Sequence, residues 1–279
     1  MQYLLQGILR VPGIQGYTGF SVSWKALFIM EAFMSFSVTG IVLIFAGAFF
    51  LGLAKAGLKG IDMLNVTIMA FVFGGKASTG VVLPLLCAAD IAAVLYYHRH
   101  AQWKHFWKLV PWMAAGILIG VYTGKDMDEV LFRKIMAVII VTTIVIIVVM
   151  EVKKDRAISN HPLFAATTGI AAGFTTMLGN LAGAFANVYF LAMRMPKNDF
   201  IGTAAWVFLV VNLFKLPFQI FYWKNINEES LKIDLLLLPA LAIGFICGIK
   251  ITKQLKDNSY RKLVMLLTLA GAIVIFLKK

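Results

Sequence analysis

The chain has 279 residues, of which 61% are hydrophobic and 14% are charged, and its net charge is +13. Soluble domains have an apolar fraction nearer to about one half, so the composition excludes an ordinary soluble protein. The Lys and Arg residues lie mainly in short loops between long apolar runs, where they orient a membrane protein rather than bind nucleic acid. We therefore predict an all-α integral membrane protein that lies in the lipid bilayer and binds no nucleic acid.

The first residues of the chain do not have the pattern of a membrane span. Residues 1–31 contain Pro12, Gly13, Gly16 and Gly19 and have no long apolar core. No small-residue cleavage site follows a charged start, so the segment is not typical of a cleaved signal peptide. We expect an interfacial N-terminal segment.

A first membrane repeat is predicted over residues 32–152. Its first apolar run, residues 32–54, leads into a break between Gly52 and Gly60, and the following run, residues 63–73, is too short to cross a bilayer alone. Longer runs follow at residues 77–97, 109–124 and 131–150. The repeat is thus one broken helix pair and three spanning helices.

The second half of the chain has the same plan. After a cytoplasmic linker at residues 153–161, a second repeat covers residues 162–279. Two short runs, residues 162–178 and 181–193, flank a second break. Longer runs follow at residues 199–223, 233–249 and 260–277.

Matches at a nearly constant offset indicate that the two halves are related by duplication. Pro111 recurs as Pro239 (239 − 111 = 128), and Asp90 recurs as Asn212 (212 − 90 = 122). The glycines that match at similar offsets are Gly116 and Gly244, Gly120 and Gly248, Gly80 and Gly202, Gly52 and Gly173, and Gly57 and Gly179. Internal repeats of this kind are typical of secondary transporters.

Loop charges predict how these runs cross the membrane. The basic loops, which we place in the cytoplasm, are residues 98–108, 152–160, 193–198 and 250–262. The second short pair then begins and ends on the cytoplasmic side, so each repeat is a pair of half-helices plus three spans, or about eight transmembrane elements in all. An odd number of crossings makes the two repeats inverted. The alternative is that residues 32–54 form a full span and only residues 63–73 are re-entrant.

The two breaks form the candidate substrate-binding site. A helix break inside a membrane exposes backbone groups, so it is stable only inside protein or facing a cavity. Half-helix N-termini and a mid-membrane lysine favour a small oxyanion. The residues assigned to this site are Lys55, Gly57, Lys59, Gly60, Thr175, Thr176, Gly179, Asn180 and Gly183. The alternative is that the first turn lies at the membrane surface, where its lysines would extend into the headgroup region.

Other polar residues lie well inside apolar runs, and the sequence leaves their roles open. The three that we assign to coupling or structure are Asp90, Asn212 and Lys215. A lone intramembrane carboxylate either carries a proton for coupling or pairs with a lysine. Asn187 fits a cavity or a helix–helix contact, and Ser78 and Thr79 fit helix caps or ligand contacts.

No catalytic chemistry is indicated by the sequence. His98, His100 and His105 lie in a basic loop without acidic or cysteine partners, so we interpret them as solvated residues rather than metal ligands. The chain has no HExxH, GxSxG or P-loop motif. We expect no enzyme activity, no metal site and no cofactor.

Three stretches carry a resemblance to a known family: residues 52–60, 82–99 and 111–120. The first stretch is a glycine-rich break. The second is a span that contains Pro84 and Asp90 and ends in tyrosines and a basic loop. The third is a helix with the pattern Gly-x-x-x-Gly. With this combination the chain resembles the sulfite exporter TauE/SafE family of membrane permeases over roughly residues 35–278. It departs from the family pattern at the breaks, which have fewer glycines and, in the first, Lys59.

The resemblance implies two inverted four-helix repeats and the transport of small, often sulfur-containing anions, with protons as a candidate coupling ion. The leading prediction is a secondary transporter that exports anions such as sulfite or sulfonates across the bacterial inner membrane. The alternatives are a passive anion channel and a non-transporting membrane scaffold that binds a partner through loop 98–108. Substrate identity, direction and oligomeric state stay open.

Overall fold

The computed structural model describes residues 36–128, 162–260 and 262–267 and scattered positions between 130 and 145. Nine α-helices have both ends within these residues, and residues 257–260 and 262–267 are also helical. The predicted elements that lie wholly or mostly outside the described residues are the segment 1–31, the run 131–150, the linker 153–161 and the run 260–277.

The first half contains five helices, which are α1 Val38–Lys55, α2 Asp62–Phe73, α3 Gly75–Val81, α4 Leu83–Tyr97 and α5 Trp103–Gly124. Helix α1 begins at the cap residue Ser37, whose Oγ accepts a hydrogen bond from the Gly40 N–H at 3.1 Å. The predicted single run at residues 77–97 is instead divided between α3 and α4, with a bend of 47° between them. Pro84 lies in the first turn of α4, where its missing N–H is tolerated, but it cannot continue the helix that precedes it.

The second half contains four helices, which are α6 Pro162–Gly179, α7 Ala182–Ala192, α8 Lys197–Pro217 and α9 Glu228–Gln254. Helix α8 continues into one π-helical turn, Phe218–Tyr222. Helix α9 starts with a capping box in which Asn227 and Ser230 each accept a hydrogen bond from the other's backbone N–H. Because of this start, α9 is longer than the predicted run at residues 233–249.

Several of these helices have the length and composition of membrane spans. Four qualify alone, namely α1, α5, α8 with its π-helical turn, and α9, and the bent pair α3–α4 gives a fifth. Helices α2 and α7 are apolar but shorter, with 12 and 11 residues. The described residues are therefore an all-helical bundle with four to five candidate spans, fewer than the eight elements predicted for the whole chain.

Two close helix crossings connect the first and second halves of the chain. In both, a glycine of one helix packs against the backbone of the other helix. Helix α5 packs so closely on α6 that a Cβ on Gly116 would collide with the backbone oxygen of Ile170. Helix α9 packs in the same way on α1, where a Cβ on Gly244 would collide with the backbone oxygen of Phe49. Gly116 and Gly244 match in the sequence repeat, and Ile170 lies 121 positions after Phe49 (170 − 49 = 121).

The glycines on the opposite sides of these crossings also correspond. A Cβ on Gly173 in α6 would collide with the backbone of Met113, and a Cβ on Gly52 in α1 would collide with the backbone of Leu241. Leu241 lies 128 positions after Met113 (241 − 113 = 128), the offset of the matched prolines. The largest group of buried apolar side chains lies where α5, α6, α7 and α8 meet.

Helices α4 and α8, which correspond in the predicted repeat, lie antiparallel beside each other. Gly80, just before α4, is in close contact with Asn225, which follows α8. At the other end, a Cβ on Gly202 near the start of α8 would lie 2.7 Å from the backbone oxygen of Tyr97 at the end of α4. The middles of these two helices therefore meet, and both carry polar residues there.

Candidate functional site

The first break, between α1 and α2, lies inside the protein. Its backbone turns at Gly57 (φ 124°) and Gly60 (φ 100°), and both values fall in the left-handed region that favours glycine. The exposed carbonyl groups of the turn have partners, since Tyr97 Oη donates to the Ala56 oxygen at 2.9 Å and Tyr260 Oη donates to the Gly57 oxygen at 2.8 Å. The break is thus held by side chains from two other parts of the chain, as a break within a bilayer requires.

The second break, between α6 and α7, is shorter. Helix α6 ends at Gly179, and Asn180 then adopts a left-handed conformation (φ 56°), which asparagine tolerates better than most residues. Thr175 Oγ1 donates to the Leu181 oxygen at 3.2 Å and fastens the turn to the helix that precedes it. The hydroxyl group of Thr175 therefore stabilises the second break.

A buried salt bridge connects the first break to helix α4. Lys55 is the last residue of α1, and its Nζ lies 2.6 Å from Asp90 Oδ1, with the Asp90 side chain fully buried. The second carboxylate oxygen accepts a hydrogen bond from Asn212 Nδ2 at 2.6 Å. Asp90 and Asn212, its predicted repeat counterpart, are thus in direct contact, and both oxygens of Asp90 have partners.

Lys215 continues this network to the second break. Its Nζ donates to Asn212 Oδ1 at 3.2 Å, as their spacing of one helical turn predicts. It also donates to Asn180 Oδ1 at 2.7 Å and to the Thr176 backbone and hydroxyl oxygens at 3.0 and 3.1 Å. All of these acceptors are neutral, so the charge of Lys215 is solvated by dipoles near the C-terminus of α6.

The polar network extends toward the loop after α8. Asn180 Nδ2 donates to the Thr79 oxygen at 3.1 Å, Gln219 Nε2 lies 3.3 Å from Thr79 Oγ1, and Asn225 Nδ2 donates to Gln219 Oε1 at 3.2 Å. Thr79 Oγ1 and Ser78 Oγ donate to backbone oxygens three residues earlier, and α3 has no side-chain cap. The interpretation of these two residues as helix caps is therefore wrong.

Lys59 differs from the other two buried lysines. Only 2% of its surface is exposed, and its Nζ lies 5.4 Å from the centre of the Phe208 ring, which Lys55 Nζ approaches to 4.9 Å. Its Nζ donates no hydrogen bond and forms no salt bridge to any described residue. The buried ammonium group of Lys59 thus has no hydrogen-bond acceptor within the described part of the chain.

Next to the first break, the start of α2 meets the start of α7. Asp62, the half-buried first residue of α2, accepts a hydrogen bond from the Gly60 N–H through Oδ1 at 2.8 Å. Its other oxygen, Oδ2, lies against Gly183 in the first turn of α7. Asn187, one turn further along α7, is 2% exposed, and neither its Nδ2 nor its Oδ1 has a hydrogen-bond partner among the described residues.

The predicted site residues fall into two groups in the structure. The six residues that share one network of hydrogen bonds are Lys55, Asp90, Thr176, Asn180, Asn212 and Lys215. The second group surrounds the first break, where Lys59 and Gly60 lie in the turn and Gly183 lies against Asp62. Gly57 and Gly179 shape the two turns. The second break reaches both groups, through Asn180 and Gly183.

Sequence reasoning did not single out Asp62, Phe208 or Gln219 as parts of this region. A signal existed for Gln219, because it lies four residues after Lys215 and therefore on the same helix face. Phe208 had no such signal, because one phenylalanine among 22 has no distinguishing sequence context.

The family model described as sulfite exporter TauE/SafE matches residues 41–275, which is most of the chain. The chain belongs to the sulfite exporter TauE/SafE family. No curated protein and no solved structure matched it.

Membership of the TauE/SafE family confirms the resemblance found in the sequence. It implies a membrane permease for sulfur-containing anions, which agrees with the apolar helices of spanning length. The small anionic substrate and the lipid bilayer follow as partners of the protein. As a TauE/SafE protein, the chain is a multi-pass membrane transporter.

Proposed function

We propose that this TauE/SafE protein is a secondary transporter that exports a small sulfur-containing anion, such as sulfite or a sulfonate, across the bacterial cell membrane. The observation that carries the proposal is Lys59, a lysine that is 2% exposed and has no salt bridge to any described residue. A buried cation is costly unless it has a partner. A bound anion supplies that partner.

The charge balance of the surrounding region supports an anionic ligand. Lys55 is neutralised by Asp90, whereas Lys215 has only neutral acceptors. The acidic side chains near enough to act on Lys59 are Asp62 and Asp90, and Asp90 is already engaged by Lys55. Among these five side chains, three lysines and two aspartates, positive charges exceed negative ones by one (3 − 2 = 1) when all are ionised.

The arrangement of the helices supports two inverted repeats as the frame of this site. Helices α4 and α8 correspond in sequence yet lie antiparallel, as two copies of opposite orientation require. In both glycine crossings, a helix of one half packs on a helix of the other half: α5 packs on α6, and α9 packs on α1. In this architecture both breaks approach the same central region, and rocking of one repeat against the other opens it to each side in turn.

Proton coupling is the energy source that we propose for export. Asp90 is the predicted coupling residue, but both its oxygens are engaged by Lys55 and Asn212. This geometry favours a structural pair in the state described. For Asp90 to take up a proton, the pair with Lys55 must open during the transport cycle.

The experiment is uptake of radiolabelled sulfite, sulfate and methanesulfonate by proteoliposomes that contain the wild type or Lys59→Met. Methionine keeps most of the length of the side chain and removes its charge. We expect at least about a tenfold loss of flux, because a charge-assisted hydrogen bond contributes roughly 1.5–3 kcal/mol. Lys104→Met, at an exposed position, is the matched control and retains flux.

The result that overturns the site assignment is normal flux in Lys59→Met. Absence of flux for all three anions in the wild type overturns the sulfur-anion assignment and favours the scaffold alternative.

A further inference from the structure

The junction between α2 and α7 contains polar atoms that the proposed transport of a simple anion does not explain. Asn187 is buried, and its Nδ2 donor and its Oδ1 acceptor both lack a partner among the described residues. Buried amide groups without partners are rare, because each costs roughly 1–3 kcal/mol. An arrangement of this kind is stable in a binding site that a ligand fills.

Asn187 is directed toward the start of α7 and the carboxylate of Asp62. A Cβ on Gly183 would lie 3.4 Å from Asn187 Nδ2 and would collide with Asp62 Oδ2, so both side chains converge beside this glycine. Helix α7 has 11 residues and a partial positive charge at its N-terminus, where the Ala184 N–H donates to the Leu181 oxygen at 3.1 Å. Donors and acceptors thus lie side by side at one place.

A fully deprotonated oxyanion does not match this set of groups. It would satisfy Asn187 Nδ2, but it would leave Asn187 Oδ1 without a donor and place a second negative charge near Asp62. A ligand that also carries an O–H or N–H group satisfies these acceptors and shields Asp62. Asn187 Oδ1 and the Asp62 carboxylate therefore indicate that the ligand carries a hydrogen-bond donor. Lys59 alone indicates only that the ligand is an anion.

We propose that this site selects a small anion that also carries an O–H or N–H donor, and that Asn187 together with Asp62 recognises that donor. The proposal rests on the transport function proposed above and narrows its substrate class to hydroxylated, aminated or protonated sulfur oxyanions.

The repeat provides a matched control for Asn187. Asn65 in α2 is its counterpart (187 − 65 = 122), is also 2% exposed, and has an Oδ1 without a partner among the described residues. A Cβ on Gly47 of α1 would lie 3.4 Å from Asn65 Oδ1, so this oxygen faces α1. The two asparagines therefore share residue type, repeat position and burial, but Asn187 lies beside Gly183, whereas Asn65 lies beside Gly47.

The experiment measures competition against labelled sulfite uptake in proteoliposomes by two unlabelled sulfonates that differ in one hydroxyl group, ethanesulfonate and 2-hydroxyethanesulfonate. We expect 2-hydroxyethanesulfonate to inhibit sulfite uptake at an about fivefold lower concentration, because one net hydrogen bond contributes about 1 kcal/mol. Asn187→Leu should reduce this preference to near one, and Asn65→Leu should retain it. Asp62→Asn, which keeps one acceptor oxygen but loses the charge, should give an intermediate preference.

Equal competition by the two sulfonates in the wild type, with normal sulfite uptake, overturns this inference and leaves the transport function standing. A preference that persists in both Asn187→Leu and Asp62→Asn overturns it as well. Loss of the preference in Asn65→Leu shows a general packing effect and also contradicts the assignment. Absence of any sulfite or sulfonate uptake overturns the transport function, and this inference with it.

Discussion

Lys55 and Lys59 lie four residues apart, yet their surroundings give them different roles. Lys55 forms a salt bridge of 2.6 Å to the buried Asp90, whereas Lys59 lies over the ring of Phe208 without an acidic hydrogen-bond partner among the described residues. A cation–π contact offsets only part of the cost of burying a charge, about 2 kcal/mol when desolvated. We therefore propose that Lys55 stabilises the fold and that Lys59 binds the ligand.

This difference predicts opposite effects on stability. Lys59→Met removes a buried charge without a counter-charge, so thermal unfolding in detergent should occur at the same or a higher temperature even though transport is lost. A clear fall in the unfolding temperature would mean that Lys59 stabilises the fold and would contradict its assignment to the ligand.

Asp90→Asn should have the reverse effect, because it leaves the Lys55 charge buried without a counter-charge. The expected loss of stability is about 3–5 kcal/mol, as for other broken buried ion pairs. The double variant Asp90→Asn with Lys55→Met should recover most of it, and a double-mutant cycle of these two changes measures the coupling. Additive effects of the two single changes would show that the pair does not stabilise the protein.

At the scale of elements, the glycine crossings fix how the helices pack. Gly116 and Gly244 occupy equivalent positions against the backbones of α6 and α1. Gly116→Leu and Gly244→Leu should each lower the unfolding temperature by a similar amount, because each side chain would have to displace a neighbouring helix, and overpacking typically costs at least about 1–3 kcal/mol. Ile119→Leu, on the exposed face of α5, is the control and should have little effect. Unequal effects of the two glycine changes would weaken the correspondence of the crossings.

The sequence predicted the helices better than the bends and contacts between them. Long apolar runs and matched glycines located the breaks at Gly57 and Asn180, because closely spaced glycines and polar residues interrupt an apolar run only where the backbone is sheltered from lipid. The bend between α3 and α4 was missed although Pro84 signals it, because a proline inside an apolar run kinks or ends the helix that precedes it. The contact of Lys215 with the second break connects residues far apart in the chain, and such pairings depend on tertiary packing that local patterns do not encode.

On the scale of the whole molecule, inverted repeats predict that equivalent loops lie on opposite sides of the membrane. The turn after α4 contains Arg99, and the equivalent region after α8 leads to Glu229; both residues are exposed. In a background without Cys87 and Cys247, an impermeant maleimide should label Arg99→Cys from the cytoplasmic side and Glu229→Cys from the opposite side. Labelling of both cysteines from one side would contradict the inverted arrangement.

The assignment as a secondary transporter is tested most directly by accumulation of labelled sulfite in proteoliposomes under an imposed pH gradient. Coupled transport predicts an internal concentration above the external one in the wild type, collapse of that excess when a protonophore removes the gradient, and no accumulation in Lys59→Met. Uptake that only equalises the two concentrations, whatever the gradient, would identify a passive anion channel and contradict coupled transport.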